Sequence, residues 1–336
     1  MFSKNFVIEK LSHIIDEVSN KPIFIEGVTG NEKKQHVNVK VAIPEEMSSD
    51  AKQQIETEII QSLKKEGAKT VGVLFAKVSG HIDLPKETVL TSDNPPVCIA
   101  IASGKGGVGK STVTVNLAVA MARLGKKVGI IDSDIYGPSI PNMMGTTERP
   151  VVENNMALPV VAHGVKIISM DFFKEEDEPV IWRGPMLGKM LDVFLDQVYW
   201  GELDYLLFDL PPGTGDIALD ISSRIPNCKE IIVTTPHPTA AFIAKQAGKM
   251  AIKTNHAIIG VIENMSYVES KDGQHQYLFG RGGGVNLAKE LKTELLAQIP
   301  ISAPKEGDNG MTAVYDELHP ISEIYKEVAQ EIIKVQ

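Results

Sequence analysis

Apolar residues recur at helical spacing in the first stretch of the chain, where Phe6, Val7, Leu11, Ile14, Ile15 and Val18 predict a helix within residues 4–18. Two shorter apolar stretches, Ile23–Val28 and His36–Ile43, read as strands joined through Gly30-Asn31. Residues 48–66 return to an amphipathic helical pattern, opened by Ser48-Ser49-Asp50 and stopped at Gly67, and Thr70–Val78 alternates as a strand does. The order α-β-β-α-β predicts a small α+β domain over residues 1–80. Nothing in it suggests catalysis, and its acids and lysines read as a solvated face. Residues 81–96 hold Pro85, Pro95 and Pro96 with few large apolar side chains, and read as a linker.

From Val97 to residue 336 the pattern changes to buried strands alternating with helices. The strand candidates are 97–102, 127–132, 165–170, 204–209, 229–234 and 257–262, with a short one near 296–300. Continuous apolar runs such as Val128-Gly129-Ile130-Ile131 belong to strands covered on both faces. The expectation is an α/β fold, a mainly parallel sheet with helices on both faces. Ligands of such sheets gather at the carboxyl ends of the strands.

One of those ends carries the clearest chemistry. After the apolar run Val97–Ala102 comes Gly104-Lys105-Gly106-Gly107-Val108-Gly109-Lys110-Ser111-Thr112, and Val113–Leu124 then reads as a helix. The pattern G-x-x-x-x-G-K-[ST] between a strand and a helix is a phosphate-binding loop. Its glycines let consecutive N–H groups and the helix N-terminus point at one anion. Lys110 reaches the outer phosphates, and the Ser111 hydroxyl is placed to ligate Mg²⁺. The same letters satisfy the dinucleotide fingerprint through Gly104, Gly106 and Gly109, with Asp132 about twenty residues on. The Lys-Ser-Thr that follows favours a nucleoside triphosphate, because a dinucleotide site needs neither that lysine nor that hydroxyl. A glycine loop that merely turns the chain is the bland alternative.

Two further strand ends supply acids. Val128–Asp134 ends in Asp132 and Asp134, and Leu206–Asp209 runs into Leu-Pro-Pro-Gly-Thr-Gly-Asp216. An acid ending an apolar strand beside a phosphate loop holds Mg²⁺, directly or through water, and Asp209 takes that role here. Gly213 and Gly215 suit a segment that moves when the γ-phosphate leaves. Asp134 is the candidate for orienting or deprotonating the attacking water, and Asp132 for supporting the metal shell. A helix cap or turn is the plainer role for either.

Composition narrows the class. A chain of 336 residues with 43% hydrophobic and 23% charged residues is an ordinary globular protein with room for two domains. The net charge of −9 argues against a broad, sequence-blind hold on nucleic acid. The two cysteines, Cys98 and Cys228, exclude a disulfide framework and a C-x-x-C metal pair. The start lacks an apolar signal core, and no apolar run approaches a membrane span, so the expected address is cytoplasmic with no membrane partner.

Lys-Gly-Gly-Val-Gly-Lys-Ser-Thr, residues 105–112, resembles the deviant phosphate loop of the MinD, ParA and nitrogenase iron-protein class. The resemblance implies a homodimer in which Lys105 contacts the nucleotide of the other subunit, as an arginine finger would. Further along, Trp182-Arg-Gly-Pro-Met186, Asp209–Asp216, Gly260-Val-Ile-Glu-Asn264-Met-Ser266 and Phe279-Gly-Arg-Gly-Gly-Gly284 appear in order. Together they resemble the Mrp (ApbC-like) iron–sulfur cluster carriers over most of residues 97–320. The residues before 97 resemble the small domain that many bacterial members carry in front. The class implies that Asn264 reads adenine with its amide, although an asparagine closing a turn has the same look.

The chain departs from the family at one place. Cluster carriers have a C-x-x-C pair between the Glu-Asn-Met-Ser and Phe-Gly-x-Gly-Gly-Gly stretches, so that two subunits supply four thiolates to one [4Fe–4S] cluster. Here the segment is Tyr267-Val-Glu-Ser-Lys-Asp-Gly-Gln-His275, whose oxygens and imidazole are poor substitutes for thiolates. The expected cofactors are therefore ATP and Mg²⁺, with an iron–sulfur cluster doubtful. The client is an iron–sulfur acceptor protein or DNA. The alternative function is that of the SalA-type regulators, relatives without the cysteine pair that bind DNA in an ATP-dependent way. Lys245, Lys249, Lys253 and His256 fall near helical spacing and suggest a basic stripe for that purpose. A positioning ATPase of the MinD or ParA kind is disfavoured by the ending Glu331–Gln336, short for a membrane-targeting helix.

Overall fold

A computed structural model describes residues 2, 4–16, 21–31, 36–43, 47–77, 88–134, 137, 139–153, 156–173, 184–225, 227–270, 272–304 and 312–334. Trp182, Arg183 and the linker residues 81–87 lie outside the described residues. The chain divides into two compact units, Met1–Thr88 with Glu148–Pro159, and Val89–Thr147 with Val160–Gln336. The segment 148–159, which the sequence division placed in the second part, thus goes with the first unit.

The first unit opens with α1 (Lys4–Leu11) and the short paired strands β1 (Ile15–Asp16) and β2 (Lys21–Pro22). The expected helix over 4–18 therefore ends early, at Leu11. Ile14 still enters the core, from the turn rather than from a helical face. Next come β3 (Phe24–Asn31), β4 (His36–Ile43), α2 (Ser49–Lys65) and β5 (Thr70–Lys77). The sheet order is β3-β4-β5, with β3 antiparallel and β5 parallel to β4. Ser48 caps α2 by accepting from the Ala51 N–H at 3.2 Å. Its buried side chains fall four apart, at Ala51, Ile55, Ile59 and Leu63, and pack on Val37, Val39 and Val41 of β4 in one core.

The second unit contains β6 (Val97–Ser103), α3 (Lys110–Arg123), β7 (Val128–Asp132) and α4 (Ile140–Met143). The hairpin β8 (Val151–Glu153) and β9 (Met156–Leu158) follows and belongs to the first unit. The second resumes with β10 (Val160–Ala162), β11 (Val165–Ser169), α5 (Gly184–Asp196), β12 (Tyr205–Asp209), α6 (Asp216–Ser223), β13 (Lys229–Thr234) and α7 (Pro238–Lys253). It closes with β14 (Ala257–Glu263), β15 (Val268–Glu269), β16 (His275–Gln276), α8 (Gly283–Leu291), β17 (Leu295–Gln298) and α9 (Pro320–Lys334). No described helix is long and apolar enough to cross a membrane.

Eight strands form one sheet in the order β10-β11-β7-β12-β6-β13-β14-β17, parallel throughout except for β10 at one edge. The runs in β6, β7 and β12 are apolar because helices cover both faces, leaving Ile99, Ile101, Ile130, Leu206 and Phe208 without exposure. The register is what builds the site: Asp209 lies level with Ile101 on one side and with Asp132 on the other. Two acids and the start of the phosphate loop thereby share one end of three adjacent strands.

Candidate functional site

The loop leaves β6 at Ser103 and enters α3 at Lys110. Gly104 lies against α7: a Cβ there would sit 2.4 Å from the Ala244 nitrogen, so backbone meets backbone at this point. Lys105, Gly106 and Gly107 are exposed, while Lys110 is only 6% exposed. Gly109, Ser111 and Thr112 lie half-buried at the mouth of α3.

Four side chains converge on Asp209. The Lys110 ammonium donates to Oδ2 at 2.7 Å, the Ser111 hydroxyl to the same oxygen at 2.6 Å, and the Thr114 hydroxyl to Oδ1 at 2.7 Å. The Ser133 hydroxyl and N–H both donate to the Asp209 carbonyl, at 2.8 and 3.1 Å. Asp209 has no exposure, so this donor set is what keeps a carboxylate tolerable there. Lys110 also faces Asp134, with Nζ 3.6 Å from Oδ2. Thr114 was not among the residues singled out from the sequence. It lies one helical turn after Lys110 on the same face, which is the signal that would have found it.

Asp132 is placed differently from Asp209. Its Oδ2 accepts from the Ser169 hydroxyl at 2.8 Å and the Ile140 N–H at 3.3 Å, and its Oδ1 from the Asp134 N–H at 3.2 Å. Burial first, and then the neighbouring Asp209 charge, push its carboxyl up to about 7. Asp132 therefore fixes the backbone that carries Asp134 and the start of α4. Beyond Asp209, the Gly213 N–H donates to the Ser103 carbonyl at 2.8 Å, fastening the glycine-rich turn to the strand that feeds the loop.

Asn264 follows β14 and is 6% exposed, with its amide nitrogen donating to the Val108 carbonyl at 2.9 Å. The buried Glu263 beside it accepts from the Ser266 hydroxyl, the Gln298 amide and the Gly284 N–H at 2.6, 2.7 and 2.6 Å. It thus joins this turn to the N-terminus of α8, a role that a lone acid at a strand end does not announce in sequence.

Hard oxygen donors at Ser111 and Asp209, beside a lysine-bearing glycine loop, fit Mg²⁺ and a phosphate chain. A resident iron–sulfur cluster does not fit. Cys98 and Cys228 are both buried and unpaired with one another. Burial pushes the Cys98 thiol up to about 12, and burial, then Cys98 and Glu230, push Cys228 up as well. Cluster ligands must be thiolates. In the segment where the resemblance places a carrier's cysteine pair, residues 267–275 hold no thiol, and Tyr267 stacks on His275 at 3.9 Å between centroids.

Of the basic stripe suggested along α7, Lys249 and Lys253 are exposed, but its two ends are otherwise engaged. Lys245 pairs with Glu290 at 3.1 Å, and His256 is buried, bonded to Glu230 at 2.9 Å and to the Ile225 carbonyl at 3.0 Å. Helical spacing placed His256 on the face of Lys249 and Lys253, but α7 ends at Lys253 and the chain turns inward through Asn255 at φ +61°.

A sequence model described as ParA, NUBPL iron-transfer P-loop NTPase, matches residues 95–333. The iron-sulfur cluster carrier protein of Bacillus subtilis (strain 168) is 55% identical over 309 residues, which cover 89% of this chain and 88% of the relative. The protein of that description from Mycobacterium bovis is 49% identical over 240 residues, covering 67% of this chain and 63% of its own length. A solved nucleotide-binding protein from Archaeoglobus fulgidus, in complex with ADP, is 38% identical with a TM-score of 0.55, over 69% of this chain and 87% of that one. The cell division ATPase MinD of Pyrococcus furiosus shares the fold, with a TM-score of 0.53 at 24% identity over 71% and 99% of the two chains.

Proposed function

The chain belongs to the ParA-type iron-transfer P-loop NTPases, and from that premise we propose that it binds ATP with Mg²⁺ at residues 104–112 and hydrolyses it slowly. It does so as a homodimer whose conformation follows the nucleotide, and it serves iron–sulfur assembly without holding a cluster on its own cysteines. The observation that carries this is the convergence of Lys110, Ser111 and Thr114 on Asp209, with Asp134 facing the same lysine.

Each residue then has a role. N–H groups of Gly106–Lys110 and the start of α3 cradle the phosphates, and Lys110 swings from Asp209 to the outer phosphate oxygens. Ser111 and Asp209 would hold Mg²⁺, which neutralises charge on the phosphate chain when bound. Asp134 accepts a proton from the attacking water as its oxygen bonds to the γ-phosphorus and the bond to the bridging oxygen breaks, releasing ADP and phosphate. Asp132 holds Asp134 in place. Lys105, exposed on the loop, reaches the nucleotide of a second copy and stabilises the departing charge. The Bacillus and Mycobacterium relatives carry the cluster-carrier description, and with His256 buried the regulator alternative loses one member of the basic stripe offered in its support.

The test is ATPase activity against protein concentration. The parent's specific activity should rise with concentration as dimers form, whereas Lys105→Ala should bind ATP but turn over at least about 10²-fold more slowly. Equal rates for the two proteins would end the shared-site mechanism.

A further inference from the structure

The turn after β14 is held in a strained shape from several sides. Met265 sits at φ +54°, a conformation that a residue with a side chain keeps only where its surroundings over-determine it. The Asn264 N–H donates to the Thr234 carbonyl and the Ser266 N–H to the Ile299 carbonyl, both at 2.8 Å. Glu263, without exposure, clamps the same turn through Ser266, Gln298 and Gly284.

This rigid turn aims Asn264 at the phosphate loop. A carbonyl only accepts, so the contact of 2.9 Å to the Val108 oxygen requires the amide nitrogen, not the amide oxygen, on that side. Gly109, at φ +85°, leaves the space: a Cβ there would lie 2.0 Å from the Asn264 nitrogen. Val108 is itself 2% exposed. The last two residues before Lys110 are therefore set by a side chain from the turn after β14, more than 150 positions away.

We propose that Asn264, held by Glu263, is a positioning residue for the phosphate loop, and that it supports triphosphate binding whatever base is attached. The proposal rests on the nucleotide site described above. It adds that the two ends of the nucleotide site are mechanically joined, because the amide that would meet the base also fixes the Val108-Gly109 backbone. Loss of Asn264 leaves the Val108 carbonyl without this donor and frees Gly109 to leave the conformation that presents its N–H.

The experiment uses the full chain and calorimetric binding of three magnesium-loaded ligands, ATP, GTP and inorganic tripolyphosphate. Asn264→Ala should weaken all three by a similar factor, about five- to tenfold as expected for one buried hydrogen bond. Asn264→Leu nearly keeps the shape, adds no charge and lacks the N–H donor, and should show the same uniform loss. Glu263→Gln should follow that pattern, and in turnover KM for ATP should rise more than kcat falls. Circular dichroism establishes that each variant is folded, and should Asn264→Ala unfold, Asn264→Leu carries the comparison. A loss confined to ATP, with tripolyphosphate unaffected, would make Asn264 a base reader only and overturn the proposal. Unchanged binding of all three would overturn it as well. Failure of the parent to bind any of the three would refute the nucleotide site itself, a separate outcome.

Discussion

Lys110→Ala removes an ammonium from among buried acids and leaves the acids behind. Asp209 has no exposure, Lys110 is 6% exposed, and their charged atoms lie 2.7 Å apart. Deleting one member of a buried pair costs about 3–5 kcal/mol, since the remaining charge has lost its counter-ion. Asp209 keeps the hydroxyls of Ser111 and Thr114 at 2.6 and 2.7 Å, which puts the loss near the lower end, about 3 kcal/mol. For a unit of this size each kcal/mol moves Tm by about 2–4 °C, so the variant should melt about 6–12 °C below the parent. The assay is thermal unfolding by circular dichroism in chelator without nucleotide, for the parent, Lys110→Ala, Asp209→Asn and the double variant. Neutralising the acid should recover most of the loss, so the double variant should melt above Lys110→Ala. A Lys110→Ala midpoint within about 2 °C of the parent would refute the treatment of Lys110 and Asp209 as a buried charge pair. So would a double variant that melts no higher than the single.

Asp134→Ala should bind Mg-ATP about as tightly as the parent but lose about 10²-fold or more in turnover, measured in single-turnover experiments; persistent turnover would remove Asp134 from the water-positioning role. The buried pair at the opposite end of the sheet gives a pH prediction. Burial lowers the His256 value and the Glu230 bond and charge raise it, with a net rise, while burial raises Glu230 more than His256 lowers it. Both groups hold protons to higher pH in the folded chain than in the unfolded one: the Glu230 contribution is complete only below the ordinary glutamate value of 4.5, whereas that of His256 is complete below 6.5 and is lost as pH rises past its folded value, which makes His256 the group that governs the range above pH 6. Urea midpoints of the parent should therefore fall from pH 6 to pH 9 more steeply than those of His256→Asn/Glu230→Gln; parallel curves would contradict the pairing.

Much of this was legible because local pattern and tertiary environment agree. The apolar runs at 97–103, 128–132 and 205–209 are strands because they are buried on both faces, and the glycines of the loop lie where a strand must turn into a helix. What stayed hidden depends on partners far away in sequence. The three-residue strands β8, β9 and β10 are too short to show a period, and β10 takes its antiparallel direction from the turn through His163 and Gly164. His256 reads as part of a surface stripe until the fold places it beside Glu230, 26 positions earlier. Asn264 was visible as a polar residue after a strand, but its bond to Val108, 156 positions earlier, belongs to the folded sheet alone.

Iron and acid-labile sulfide per chain, determined after anaerobic purification and attempted reconstitution on protein shown in the same experiment to bind Mg-ATP, decide whether the nucleotide switch works without a cluster of its own. The expected result is colourless protein that binds ATP and holds no stoichiometric cluster, because both thiols are buried and pushed away from the thiolate form. A stoichiometric, oxygen-sensitive cluster would contradict it and would mean that Cys98, Cys228 or another ligand set does what the family's missing cysteine pair does elsewhere.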